Sequence, residues 1–108
     1  MASDRESVVA ERTLLFSESN KTELKEFKVR IFSPIEVGPV DSNARIDDCA
    51  AKCLVEFFGI SVPGVYIYGI DPLQALKLAA DVDPLLKGVA SKYGYNLFWK
   101  SGEPYFED

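Results

Sequence analysis

The chain has 108 residues, of which 47% are hydrophobic and 12% aromatic, and its formal net charge is −5. This length predicts a single domain spanning residues 1–108 with a modest core, and the aromatic content argues against a disordered chain. The acidic balance disfavours binding to nucleic acid or to an anionic membrane, and it is compatible with a basic protein partner.

The first seven residues are polar and no apolar run follows them. We therefore expect neither a signal peptide nor a membrane span, and we expect a cytoplasmic protein. Residues 1–7 and 101–108 are expected to be frayed tails.

The first third of the chain predicts an antiparallel hairpin. Residues 8–16 have the composition of a strand, and residues 26–32 alternate, with Phe27, Val29 and Ile31 on one face. The polar residues 17–25 connect the two strands. Residues 33–45 are rich in Pro, Gly, Asp, Ser and Asn, which predicts a long loop.

The middle of the chain is ambiguous between helix and strand. We interpret residues 46–58 as a strand, because Cys53 to Phe58 is β-branched and aromatic and Gly59 ends it. A short strand at 65–68 and a last strand at 95–100 complete the sheet. The predicted fold is α+β, with an antiparallel sheet of four to five strands and one long helix packed on one face.

That helix is predicted to start at Pro72, with Asp71 as the N-cap and Gln74 reaching back to the Asp71 backbone as in a capping box. Its apolar arc keeps its phase as far as Tyr93. Pro84 falls on the polar side of the arc, so we predict one kinked helix. The alternative is a break, with Asp83 capping a second helix.

Four stretches of the chain form a recognisable pattern: Ala10 to Leu14, the region of Cys49, Gly69 to Ala79, and Leu97 to Trp99. The sharpest of them is a Gly-Ile-Asp-x-Leu-Gln-Ala-Leu helix start. Together they resemble a family of short bacterial α+β domains whose function is uncharacterised. The resemblance implies a small α+β domain from a bacterium, and it implies no activity and no catalytic residue.

Catalytic chemistry has little support in the sequence. There is no histidine, which excludes a histidine-based triad, proton shuttle or metal ligand. Cys49 and Cys53 are expected to be buried core thiols. The acidic pairs Asp47–Asp48 and Asp81/Asp83 are expected to be solvated, and the helix start to be capped by Asp71 rather than to bind an anion. We expect no enzyme, no cofactor and no metal.

The uncovered side of the sheet is the candidate site, because one helix covers only one face. Strand alternation places an apolar and aromatic set with cationic edges there, and Arg12 and Phe98 are further candidates. The six predicted interface residues are Arg30, Phe32, Lys52, Leu54, Tyr66 and Tyr68. These residues are either ordinary surface aromatics or a protein interface. A third interpretation, a stacking surface for single-stranded nucleic acid, is disfavoured by the net negative charge of the chain.

These observations favour a non-enzymatic protein-interaction module, and a toxin-neutralising immunity protein is one form that it could take. The alternative is a structural module that forms a homodimer through the same face. A third alternative, a small-ligand binder or an enzyme, requires a concave pocket with convergent polar groups.

Overall fold

The structure is a computed structural model that describes residues 7–37 and 51–106. It confirms the α+β class, an antiparallel sheet with helices packed on one face. The strands are β1 (Val8–Glu18), β2 (Lys25–Phe32), β3 (Ile35–Glu36), β4 (Ala51–Phe58), β5 (Val65–Gly69) and β6 (Tyr95–Phe98); the helices are α1 (Pro72–Ala80) and α2 (Asp83–Tyr93).

All pairings in the sheet are antiparallel. β4 pairs with β5 along one side and with β2 and β3 along the other, while β2 pairs with β1 and β1 with β6. β3 continues the line of β2 after an interruption at Ser33 and Pro34. Proline has no N–H to give to a ladder, so this interruption is expected where Pro34 stands. The sheet is therefore five strands wide, in the order β5, β4, β2/β3, β1, β6.

The core lies between the sheet and the two helices. Side chains of β1, β2, β4 and α2 are its most buried members: Leu14, Phe27, Val29, Cys53, Val55 and Leu86. α1 packs against β5 and β4 and α2 against β6, so the pair crosses the inner face of the sheet from one edge toward the other.

The prediction of one long helix was wrong. α1 ends at Ala80, two residues follow without helical structure, and α2 begins at Asp83. Pro84 lies in the first turn of α2, where a missing N–H costs nothing, whereas in an unbroken helix it would have removed a bond to Ala80. Val82, and not Asp83, is the N-cap, and its side chain is buried in the core.

The C-terminal segment is packed, which corrects the prediction of a frayed tail from residue 101. A turn after β6 returns the chain along the free edge of that strand, with Trp99 N–H donating to Glu103 and Tyr105 N–H donating to Leu97. Tyr105 is only 8% exposed. The predicted tail at 1–7 lies outside the described residues except for Ser7, as do residues 107 and 108.

The remaining bounds differ little from expectation. β1 extends to Glu18, β5 reaches Gly69, and β6 ends at Phe98 rather than at residue 100. β3 falls within the predicted 33–45 loop. The rest of that loop from residue 38, and the part of the predicted middle strand before Ala51, lie outside the described residues.

Candidate functional site

Strand register places all six predicted interface residues on the side of the sheet opposite the helices. In β4 the odd-numbered residues are buried beneath the helices, and the even-numbered residues are half-buried or exposed. Leu54 lies opposite Tyr66 and Lys52 opposite Tyr68. Residues opposite each other in a ladder share a face, so these two strands contribute four of the six. We call this side the outer face.

Arg30 and Phe58 belong to the same surface on the neighbouring strands. Arg30 pairs in register with Glu56, and its guanidinium carbon lies 4.3 Å from the centroid of the Phe58 ring. The Nε of Arg30 is 3.2 Å from Glu11 Oε1 on β1. The cation thus lies over an aromatic ring, and a carboxylate partly neutralises its charge.

A second cation lies on aromatic surface toward β5. Lys52 Nζ is 4.5 Å from the centroid of the Tyr66 ring. The aliphatic stem of lysine adds apolar surface while its ammonium remains at the water boundary. The outer face therefore combines aromatic rings with two cations seated on them.

Exposure distinguishes this surface from an ordinary solvated sheet face. Phe58 is 56% exposed, Tyr68 50% and Tyr66 37%, and Phe32 and Leu54 between them are half-buried. Single exposed apolar residues are common in soluble proteins, whereas contiguous ones are typical of contact sites.

Of the two further candidates for the outer face, one is correct. Phe98 pairs with Leu15 and lies on the outer face. Arg12 pairs with Val29, which is buried beneath the helices, so Arg12 lies on the inner side. Its assignment to the outer face was wrong.

Arg12 instead belongs to a polar cluster that the sequence did not predict. Its Nη1 donates to the Tyr105 hydroxyl at 2.6 Å, and that hydroxyl donates to Asp83 Oδ1 at 2.5 Å. The Arg12 guanidinium also lies 5.4 Å from the Trp99 ring centroid. Asp83 is consequently an acceptor for the C-terminal segment rather than a merely solvated acid.

Burial and the bond to Asp83 raise the pKa of Tyr105 above its ordinary value, against the opposing charge of Arg12. The hydroxyl is therefore held neutral and bridges a cation and a carboxylate. The cluster joins β1, α2 and the C-terminal segment, which are far apart in the chain. No local sequence signal could have grouped them.

A cleft of about 230 Å³ adjoins this cluster on the inner side of the sheet. It is bordered by the end of β1, by β2 and by the residues between the two helices. The lining side chains are Ala10, Glu11, Arg12, Val29, Ile31, Ala80 and Val82. Its one basic group is Arg12, whose charge is already engaged through Tyr105 and Asp83, so few free polar groups converge on the cleft.

Cys53 is fully buried and its thiol donates to the Phe32 carbonyl at 3.0 Å. Burial raises the pKa of this thiol, which disfavours the reactive thiolate. Among the described residues no group of three or more Cys, Asp or Glu side chains is placed to hold a metal ion. Cys49 and the pair Asp47–Asp48 lie outside the described residues.

The helix start is built largely as its sequence predicts. Asp71 has extended backbone geometry, and its Oδ1 accepts from the Gln74 N–H at 2.8 Å. Gln74 Oε1 accepts from the N–H of Ile70 at 2.7 Å, and not from that of Asp71 as predicted. The Asp71 carboxylate therefore occupies the position at the helix start where an anion would accept from the Gln74 backbone N–H.

The acidity of the chain does not belong to the outer face. Residues 7–37 and 51–106 hold ten acidic and ten basic side chains, so the whole net charge of −5 falls in the other segments. The argument from net charge for a basic partner therefore does not extend to this surface, where three basic strand residues, Lys28, Arg30 and Lys52, are balanced by Glu11, Glu26 and Glu56.

No family model, no curated protein and no solved structure matches this chain. The resemblance to the short bacterial domains consequently stays a prediction. Within the described residues, neither helix is long and apolar enough to cross a bilayer.

Proposed function

We propose that this chain is a non-enzymatic protein-interaction module, which binds a protein partner through its outer face. The observation that carries the proposal is the set of exposed rings on the outer face, Phe58, Tyr66 and Tyr68, with Arg30 lying over the Phe58 ring and Lys52 over the Tyr66 ring. Aromatic residues and arginine dominate the binding energy of known interfaces.

The chemistry of the surface indicates the kind of partner. Its exposed rings require apolar side chains opposite them, and its cations favour carboxylates at the rim. A partner that presents an apolar patch bordered by Asp or Glu is the best complement. A role in catalysis has less support, because the Cys53 thiol is fully buried and donates to the Phe32 carbonyl.

The test is affinity capture from a lysate of the source organism with three baits, followed by quantitative mass spectrometry. The baits are the natural chain, the double variant Phe58→Ala with Lys52→Ala, and a control double variant Leu24→Ala with Lys77→Ala. The control removes one exposed apolar and one lysine side chain away from the outer face.

We expect a specific protein to bind the natural chain and the control equally, and its capture to fall at least about tenfold with the outer-face variant. The isolated partner should then give the same ratio in a direct titration. If the captured proteins are the same for all three baits, the outer face is not the binding surface.

A further inference from the structure

The two edge strands of the sheet, β6 and β5, differ in whether another segment of the described chain pairs with them. The free edge of β6 is covered by the returning C-terminal segment, with Phe98 bridged to Pro104. β5 pairs with β4 on one side, and no strand within the described residues pairs with its other side. Uncovered edges usually carry a charge, a proline or a bulge that prevents pairing with another chain.

β5 has none of these protective features. Its five residues, Val65-Tyr66-Ile67-Tyr68-Gly69, include no charged residue and no proline, and its register with β4 is regular. The chain that follows remains apolar at the surface, with Ile70 58% and Leu73 75% exposed. Exposed apolar groups thus continue from the edge strand into the start of α1.

We propose that this edge binds a second copy of the same chain, by antiparallel pairing of β5 with β5 about a two-fold axis centred on Ile67. This register sets Ile67 against Ile67, Tyr66 against Tyr68, and Val65 against Gly69. Only registers that join residues of the same face are compatible with the two-fold axis, and this one pairs all five residues.

The strand is complementary to itself in this register. Two Tyr66–Tyr68 pairs form on the outer side, where aromatic cross-strand pairs stabilise a sheet. Gly69 opposite Val65 leaves room on the helix side, and no like charges meet anywhere along the pairing. The second copy is therefore a better complement than a peptide of arbitrary sequence.

The dimer has a sheet ten strands wide, five from each copy, in which the outer faces of both copies lie on the same side. This goes beyond the proposed function, because it uses the edge of β5 and not the outer face as the contact. The pairing joins the two outer faces into one surface of double the extent.

The experiment is sedimentation equilibrium of the natural chain and of two charge variants, one with Tyr66→Lys and Tyr68→Lys and one with Tyr66→Glu and Tyr68→Glu. Both side chains are exposed on the sheet, so the substitutions are compatible with folding, which circular dichroism checks. We expect the natural chain to dimerise at about 100 μM, as is ordinary for a modest interface. Each variant alone should dissociate at least about tenfold more readily, and an equimolar mixture of the two should recover a dimer.

Amide hydrogen exchange supplies an independent measurement on the natural chain. Residues 65–69 should exchange more slowly as the protein concentration rises, while the loop at 19–24 is unchanged. A natural chain that is monomeric at about 100 μM, or a dimer that both charge variants leave intact, overturns the proposal. Neither result bears on the capture experiment, whose variants lie outside β5.

Discussion

At the scale of the residue, Tyr105 is buried and hydrogen-bonded, which no local sequence pattern predicts. Only three residues follow it in the sequence, and its neighbours are Gly, Pro and acidic residues, a context that favours a frayed segment. Its ring packs on Trp99 with centroids 4.6 Å apart, and its hydroxyl connects Arg12 to Asp83. The stabilisation comes from partners that only the folded chain brings within reach.

The substitution Tyr105→Phe should remove a pH dependence at alkaline pH. The folded pKa of Tyr105 is raised, so its contribution to the free energy of unfolding is present below about pH 10 and is lost as pH rises through the folded value. The variant should be less stable by about 1 kcal/mol at neutral pH, because two hydrogen bonds to charged groups are lost. Above about pH 10 its free energy of unfolding should fall less steeply than that of the natural chain.

Urea unfolding followed by circular dichroism between neutral and alkaline pH measures both effects. Tyr93→Phe is the control, since Tyr93 is an exposed tyrosine whose ring stacks on Tyr95. Equal alkaline slopes for the natural chain and Tyr105→Phe would mean that the raised pKa does not contribute to stability.

At the scale of the element, periodicity predicted most of the buried side chains of the helical region but not that the helix breaks. Ala75, Ala79, Val82, Leu86 and Val89 of the predicted arc are buried, whereas Leu78, which the arc also included, is 48% exposed. An apolar arc indicates only which side of a helix faces the core. Two helices that pack on the same surface can therefore show one continuous arc in the sequence. Whether the two segments form one helix depends on a comparison of two free-energy costs. One is the cost of a kink at Pro84, and the other is the cost of a break that places the Val82 side chain in the core.

Two glycines should respond in opposite directions to alanine, because the space around them differs. A Cβ at Gly69 would lie 2.5 Å from the backbone nitrogen of Ala75, where β5 meets α1, whereas a Cβ at Gly88 on α2 would meet nothing within 4 Å. Gly69→Ala should therefore lose about 1–3 kcal/mol of unfolding free energy. Gly88→Ala should gain about 0.5–1 kcal/mol, as for any exposed glycine within a helix.

Each of these variants is the control for the other in the same urea titration. No loss at Gly69 would show that β5 and α1 do not approach each other as closely as described, and a loss at Gly88 would show that the space beside that glycine is not open.

At the scale of the whole molecule, the two edges of the sheet differ: the C-terminal segment covers the β6 edge, whereas no strand of residues 7–37 or 51–106 pairs with the other side of β5. The C-terminal segment pairs with β6 and seals the inner face beside it through Tyr105. The C-terminal segment therefore has a structural role, although it follows the last strand.

A chain that stops after Gly102 should lose stability and gain a second open edge. Removing the burial of Tyr105 should cost about 1.5–3 kcal/mol, which thermal unfolding measures. The exposed edge of β6 should also promote concentration-dependent assembly larger than a dimer, seen by light scattering. A chain that lacks only residues 107 and 108 is the control, and it should behave as the natural chain does; a shortened chain that stays equally stable would contradict the role of Tyr105.

The sequence by itself determined the class of fold, the faces of the strands and the composition of the outer face. Those properties follow from alternation and helical periodicity, which are local, so six outer-face residues could be grouped from their spacing alone. The tertiary structure alone decided that the helical region is two helices, that Arg12 turns inward to Tyr105 and Asp83, and that the C-terminal segment covers the β6 edge of the sheet. These depend on contacts between residues up to 93 positions apart, and such contacts leave no periodic trace in the chain.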